Sequence, residues 1–436
     1  MIKQIIFIIT LALTFAIFFY TAYRIYRLFK LTKPAFKVRN YGKRFQVMID
    51  VAFFQTKIFR KPVLGFLHAM VFWGFCVIII GSLEMVIDGI TGTEKVLSCL
   101  GIVYDIIIAS GDIFAAIIAV AIVVFLFRRL FMDVKRFHGI EMKKKSHQDA
   151  NLALTIILLL MISLLGMNTF YISSSNGNYT GVYPVSQYIA GFIGAGEEDF
   201  LLYEFHWWLH IVLIFIFANI LPYSKHFHVF MSVPNVFLSR LEPLGKLTIM
   251  ESITREVKLM MDPNTAFATP AESETEISRF GVKDAEDVSW KNYLDSLSCT
   301  QCGRCTQVCP ANITGKVLSP RKILIDLRAR MKEKGYCLLK NKDFQDNKSY
   351  IRDYISVEEV WACTTCNACA QECPINIDHP KLIVDIRRYL VMEESAAPAE
   401  INSIFSNIEN NGAPWQFSQQ DRMLWAENLE MNIIEK

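Results

Sequence analysis

Cys299–Pro310, CTQCGRCTQVCP, and Cys363–Pro374, CTTCNACAQECP, decide how this chain is read. Both run C-x-x-C-x-x-C-x-x-x-C-P, the thiolate spacing that holds 4Fe–4S clusters, in which three close cysteines wrap one cube and the fourth serves the other. The fourth cysteine, followed by proline, is turned away from its own trio, so the ligand sets are expected to cross between the motifs. Cys299, Cys302, Cys305 and Cys373 are predicted to hold one cluster, and Cys363, Cys366, Cys369 and Cys309 the other. Zinc would ask for one set of four thiolates rather than two sets at this spacing. Cys76, Cys99 and Cys337 complete the eleven cysteines. They have no partner at ligand spacing and read as small buried apolar residues or inert thiols.

The 436 residues are 53% hydrophobic, which is high for a chain living wholly in water. Five apolar stretches, about 5–27, 62–88, 102–127, 151–171 and 205–224, are long enough to cross about 30 Å of hydrocarbon as helices. Charge then orients them. Arg24–Lys61 carries eleven Lys or Arg against the single acid Asp50, and Arg128–Ala150 carries seven against three. The other two connections hold Lys95 alone and no basic residue at all. Basic loops stay in the cytoplasm. The N-terminus is therefore expected outside and the cluster motifs inside, in a reducing compartment where disulfides are disfavoured. The first stretch reads as a retained span, since its positive charges follow it and no small-residue cleavage site ends it.

The expected fold is mainly α: a five-helix transmembrane bundle over 1–230, followed by a cytosolic helical domain of ferredoxin type with two clusters over 282–395. A linker, 231–281, contains MDPNTAFATPAESETE and is poor in large apolar residues. The remainder, 396–436, reads as a tail for docking a partner. Helical stretches such as PRKILIDLRARMKEK fill the 53 residues between Cys309 and Cys363, more than two cluster loops need.

Electrons delivered to a membrane bundle need a carrier there, and polar residues inside spans are costly enough to be read as functional. Of eight histidines, His68 lies in the second span, while His206, His210, His226 and His228 gather on the fifth span and its extension. If one helix continues, the 18 residues from His210 to His228 make five turns and put both rings on one face, with His226 nearly opposite. His68 and His228, at matched depth on the cluster side, are expected to ligate a b-type haem rather than serve as hydrogen-bonded packing residues. His210 belongs nearer the far surface. The facing half of the second span, FCVIIIGSLEMVID, has no imidazole. That leaves a second haem with another ligand, a quinone or a hydrogen bond for His210, with His206 an alternative ligand. Asp112, about ten residues into the third span, reads either as part of a proton path or as a helix-packing hydrogen bond.

GFLHAMVFWGF (65–75) and WWLHIVLIFIFANILPYSKHFHVFMSVP (207–234), with the five-span layout, resemble the membrane haem-b subunit of respiratory nitrate reductases. That resemblance matches His68 and His228 to the cytoplasm-side haem pair and His210 to one ligand of an outer haem, whose other ligand would fall at Ile78. CTQCGRCTQVCPANITGKVLSPRKI (299–323) is similar to iron–sulfur subunits of heterodisulfide reductases. Both halves together resemble membrane iron–sulfur oxidoreductases that link electron-transferring flavoprotein to menaquinone. Those relatives continue into a domain with CCG motifs after a segment like NGAPWQFSQQDRMLWAENLEM (411–431), and no CCG occurs here. The resemblance therefore implies a separate CCG-domain subunit as partner, with electron-transferring flavoprotein feeding it.

The function expected is a membrane electron-transfer subunit between a cytosolic donor, two 4Fe–4S clusters, haem b and menaquinone in a bacterial cytoplasmic membrane. One alternative runs electrons from quinol to a cytosolic disulfide or sulfur acceptor. Another is a redox-sensing anchor without enzymatic activity. Neither G-x-G-x-x-G after a strand nor GxxxxGK[ST] is present, so hydride and nucleotide chemistry are not expected in this chain. Nucleic-acid binding is not expected either, because the basic runs lie beside spans and are explained by topology.

Overall fold

The computed structural model describes residues 1–175, 177–194, 196, 198–261 and 279–429. Residues 262–278, part of the 231–281 stretch read as a linker, and the last residues, 430–436, lie outside the described residues. Among the described residues the chain is helical, with no strand. The five apolar helices are Ile2–Phe29, Pro62–Thr91, Ile102–Phe131, Lys144–Ser174 and Asp199–Ile220, the last continued by a turn to Tyr223. Each is long enough to span, at about 1.5 Å per residue, and most of each apolar surface faces outward as a lipid-embedded helix requires.

The fourth span lies between the third and the fifth, and the first packs on the second and fifth. Phe7 is fully buried, with ring centroids 5.7 Å from Trp207 and 5.9 Å from Phe215. It sits directly over Gly89 of the second span, where a Cβ would stand 2.6 Å from the Phe7 ring. On the far side a short helix, Pro184–Ile193, closes the bundle. Asp112 caps it, accepting from the Val185 and Ser186 backbone N–H groups at 2.8 and 3.0 Å and from the Ser186 hydroxyl at 2.5 Å. Asn168 Nδ2 adds a fourth bond at 3.1 Å. Four donors make this carboxylate a helix cap, so the packing reading of Asp112 has the structural support.

The fifth span does not continue to His228. Pro222, which lacks an N–H and cannot extend a helix, lies in a 3₁₀ turn, Leu221–Tyr223. A second turn, Lys225–Phe227, precedes a new helix, His228–Phe237. The five-turn count that put His210 and His228 on one face therefore fails.

The cluster part is built around the helices Trp290–Ser298, Pro320–Leu338 and His379–Met392. Its core does not stop at the membrane part. Ile25 and Leu28 of the first span and Phe227 share one buried apolar cluster with Leu297, Leu327, Met331 and Ile386. The contact is close enough that a Cβ on Gly335 would lie 2.7 Å from Leu28. Buried ions complete the joint. Arg321, 1% exposed, donates from Nε to Glu141 Oε1 at 2.7 Å and from its terminal nitrogens to the Arg136 and His138 carbonyls at 2.6 and 2.8 Å. All three acceptors come from the basic connection between the third and fourth spans. Arg330 and Lys334 converge on Asp284, at 2.7 and 2.8 Å.

Removing one partner of a buried pair strands the other charge. Glu141→Ala is expected to cost about 3–5 kcal/mol, read as a lowered thermal midpoint of the detergent-solubilised protein. Burial works against ionised Asp284, but the hydrogen bonds from Arg330 and Lys334 outweigh it and hold its pKa below the ordinary carboxylate value. A folded pKa below the unfolded one gives stability that is complete above the unfolded value and lost as pH falls through the folded value. The cluster part is thus expected to weaken below about pH 4, and Asp284→Asn to flatten that acid limb in a circular-dichroism titration.

Candidate metal centres

Two loops of the same construction carry the eight cysteines. Trp290–Ser298 ends at Cys299, and the helical turn Val357–Trp361 ends just before Cys363. After the second cysteine each loop turns left-handed, at Gly303 (φ 75°) and Asn367 (φ 61°), and enters a short helical turn, Arg304–Gln307 or Ala368–Glu372. Gly303 is required twice over. Its φ is positive, and a Cβ would stand 2.6 Å from the Arg136 carbonyl oxygen. Cys309 and Cys373 follow in extended conformation, each before its proline.

Cys299, Cys302, Cys305 and Cys373 line one cavity, closed by Arg321, Ile375 and His379. Cys309 instead neighbours Cys363, Cys366 and Cys369. The two groups are those that the crossed spacing predicts. Their sulfurs surround a space, and among the described residues no three His, Cys, Asp or Glu converge to hold a single ion. A zinc ion draws its ligands to one point, whereas a multi-iron cube holds them apart. The donor type and the spread of the sulfurs both fit a cluster.

Burial pushes the Cys299 thiol up to about 11 and Cys373 to about 12, with Cys305 and Cys369 also raised. Such thiols keep their protons near neutral pH unless a metal displaces them. Cations stand ready to offset the thiolate charge. Lys225 and Arg328 lie near Cys299, Arg136 lies near Cys302, and Lys57 Nζ is 3.4 Å from the Cys373 carbonyl. Lys57, Arg136 and Lys225 all belong to the membrane part, so the Cys299 set faces it. The Cys363 set opens outward: Cys366 is exposed and Cys363 half-buried.

His68 lies in the first two turns of the second span, and its Nδ1 is 3.0 Å from Gln55 Oε1. Gln55, 2% exposed, ends the tight turn after the π-helical segment Ile49–Phe53 with φ 54°. His228 Nδ1 is 3.2 Å from the Lys225 carbonyl. When Nδ1–H donates to these oxygens, Nε2 of each ring is left for a metal, the usual outer-shell arrangement of an axial histidine. The donor pair fits a b-type haem. The 3₁₀ turns set His226 beside His228, ring centroids 5.9 Å apart, instead of opposite it. Burial, with the nearby cations Lys225 and Arg129, pushes His226 down to about 3, so it is a neutral imidazole.

His210 is 1% exposed. Its Nδ1 lies 3.0 Å from the Leu160 carbonyl and 2.9 Å from Ser163 Oγ, while Nε2 has no partner; His210 and Ile78 line the same cavity. His206 is not among the residues that line that cavity. Its Nδ1 bonds the Leu202 carbonyl at 2.8 Å, and its ring rests on Gly166, where a Cβ would be 2.4 Å away. The three remaining cysteines are not the buried residues expected: Cys76 and Cys99 are exposed and Cys337 is partly so. Gln55, Lys225, Arg304 and His379 were not legible as site residues. The only sequence signal for Gln55 is an amide in an aromatic run before a span.

Fold and site together define a membrane-embedded iron–sulfur electron-transfer protein with a two-cluster domain. Residues 291–374 match the family described as 4Fe-4S dicluster domain. The chain is 28% identical over 464 aligned residues to the probable iron-sulfur-binding oxidoreductase FadF of Bacillus subtilis, covering 97% of this chain and 61% of that protein. It is 29% identical over 407 residues to the EtfAB:quinone oxidoreductase of Syntrophomonas wolfei, covering 86% and 53%. Over 106 residues it is 35% identical to one subunit of the ferredoxin/F(420)H(2)-dependent CoB-CoM heterodisulfide reductase of Methanosarcina acetivorans, covering 24% and 52%. This chain is thus a homologue of iron–sulfur oxidoreductases, as the motifs suggested, and it spans between half and two thirds of the length of the first two relatives. No solved structure matches it.

Crossed ligation has a distinct signature in double variants. Cys299→Ala with Cys373→Ala is expected to lose the same iron as either alone, about half of about eight irons per chain. Cys363→Ala with Cys373→Ala is expected to lose nearly all of it, measured by iron analysis and low-temperature electron paramagnetic resonance. The reverse pattern would mean uncrossed sets.

Proposed function

We propose that this chain is the membrane electron-transfer part of a quinone-linked oxidoreductase, carrying two 4Fe–4S clusters and haem b between a cytosolic partner and menaquinone. When bound, these groups supply one-electron exchange. One observation carries the reading: a single residue joins the cluster wall to the haem ligand. Lys225 offers its carbonyl to His228 and brings its ammonium near Cys299. Arg304, inside the first cluster loop, reinforces the joint by donating to the Lys57 and Ile58 carbonyls at 2.9 and 3.2 Å, just ahead of the span that bears His68.

In this reading Gln55 and the Lys225 carbonyl hold the His68 and His228 tautomers, and the shared apolar core keeps water from the space between the centres. The surface around Cys366 receives the partner. For that partner we favour a separate CCG-domain iron–sulfur subunit, fed by electron-transferring flavoprotein and docking on 396–436. Ile404, Phe405, Trp415, Phe417 and Trp425 support this, being exposed in a segment whose helices bury no residue. The proposed location is the bacterial cytoplasmic membrane, N-terminus outside. Supporting it, both basic connections contact the cluster part: Arg27 donates to the Leu339 carbonyl, and Glu141 pairs with Arg321.

Pyridine-haem analysis of the purified chain is expected to return about one haem. His68→Ala and His228→Ala should each abolish it with cluster iron intact, and Gln55→Ala should weaken haem retention by about 10- to 100-fold. A wild-type protein without haem, or one whose haem survives both histidine substitutions, would sink the proposal.

A further inference from the structure

We infer that the cavity beside His210 is the place where this chain binds a quinone ring, a site that rests on the quinone-linked reading above. The cavity lies among the second, third, fourth and fifth spans, between helices of a bundle, where small-molecule sites commonly form. His210 lines it, and the His210 Nε2 is buried and has no hydrogen-bond partner. A buried polar atom left unsatisfied is costly and asks for a ligand.

A second haem is the obvious occupant, and the wall argues against it. Ile78, where the other axial ligand would stand, has no donor, and the rest of the wall is mostly apolar, with Val77, Leu164 and Met167. A neutral aromatic dione suits such a wall. It needs apolar faces and one hydrogen-bonding group per carbonyl edge, and no metal–ligand bond.

His210 can meet both oxidation states of that ring. Ser163 Oγ lies 2.9 Å from both His210 Nδ1 and the Leu160 carbonyl, so its single proton can go to either. With Ser163 donating to Nδ1, the Nε2–H is free to donate to a quinone carbonyl. With Nδ1–H donating to the Leu160 carbonyl, Nε2 accepts from a quinol hydroxyl. At another point of the same cavity lies Glu84, 3% exposed and holding the Leu97 N–H at 3.0 Å and Tyr104 Oη at 3.3 Å.

Gly81 and Gly111 line the cavity, and a Cβ at either would meet nothing within 4 Å. Larger side chains there would fill the space without displacing a neighbour. The test is calorimetric titration of the full chain in detergent with 2-methyl-1,4-naphthoquinone, with haem counted in every variant. Gly81→Leu and Gly111→Leu, two independent fillings, are each expected to weaken binding at least about tenfold, and His210→Phe to weaken it with haem unchanged. Binding that survives all three substitutions overturns this pocket and leaves the quinone-linked reading standing. No binding by the wild-type protein overturns both. A wild-type haem count near two that falls by one in His210→Phe assigns the cavity to haem and overturns the inference.

Discussion

Arg321 is the joint on which the rest of the molecule depends. Its guanidinium is buried, pairs with Glu141, and also binds the Arg136 and His138 carbonyls. One charged side chain of the cluster part is therefore satisfied entirely by the connection between two membrane spans. A buried cation tolerates no loose fit, because a lost acceptor leaves charge in a low-dielectric setting. The pair thus sets where the Cys299 loop sits relative to the membrane, and the shared core of Leu28, Phe227, Leu327 and Met331 holds it there.

The same desolvation rule organises both halves. In the bundle, several buried polar groups are held by specific partners: Asp112 caps a helix, Glu84 ties the Val96–Leu100 turn through the Leu97 N–H, and His68 is held by Gln55. In the cluster part, thiols raised by burial are ringed with lysines and arginines, several of them from the membrane connections. Positive charge that topology places on one side of a bilayer is thereby used again, as the counter-charge of the metal loops. His210 Nε2 is different: among the described membrane histidines it is a buried ring nitrogen without a hydrogen-bond partner, on a residue that lines a cavity.

Particular residues show what could be read ahead of the fold. The cysteine spacing carries its own geometry, so the crossed groups, Cys373 with the first trio and Cys309 with the second, were legible without coordinates, and the structure brings the same groups together. The five spans were legible because a helix in lipid must be long and apolar whatever surrounds it. The helix expected from His210 to His228 was not real. Pro222 was visible, but whether a proline kinks a helix or ends it depends on how the freed backbone groups are satisfied, and here two 3₁₀ turns form and the Asp149 carboxylate accepts from the Lys225 N–H.

Local chemistry written in short intervals, the cluster spacing and the apolar runs, was determined by the sequence alone: iron–sulfur ligation, a membrane bundle and the side on which the basic loops gather. Contacts between distant segments were decided only in three dimensions. Gln55 behind His68, Lys225 between Cys299 and His228, Arg321 on Glu141 and Ser163 on His210 each join residues whose partners have no fixed interval along the chain. The physical reason is that periodicity and spacing encode how a segment bends and which face it buries, whereas a buried hydrogen bond is satisfied by whichever group packing brings within about 3 Å.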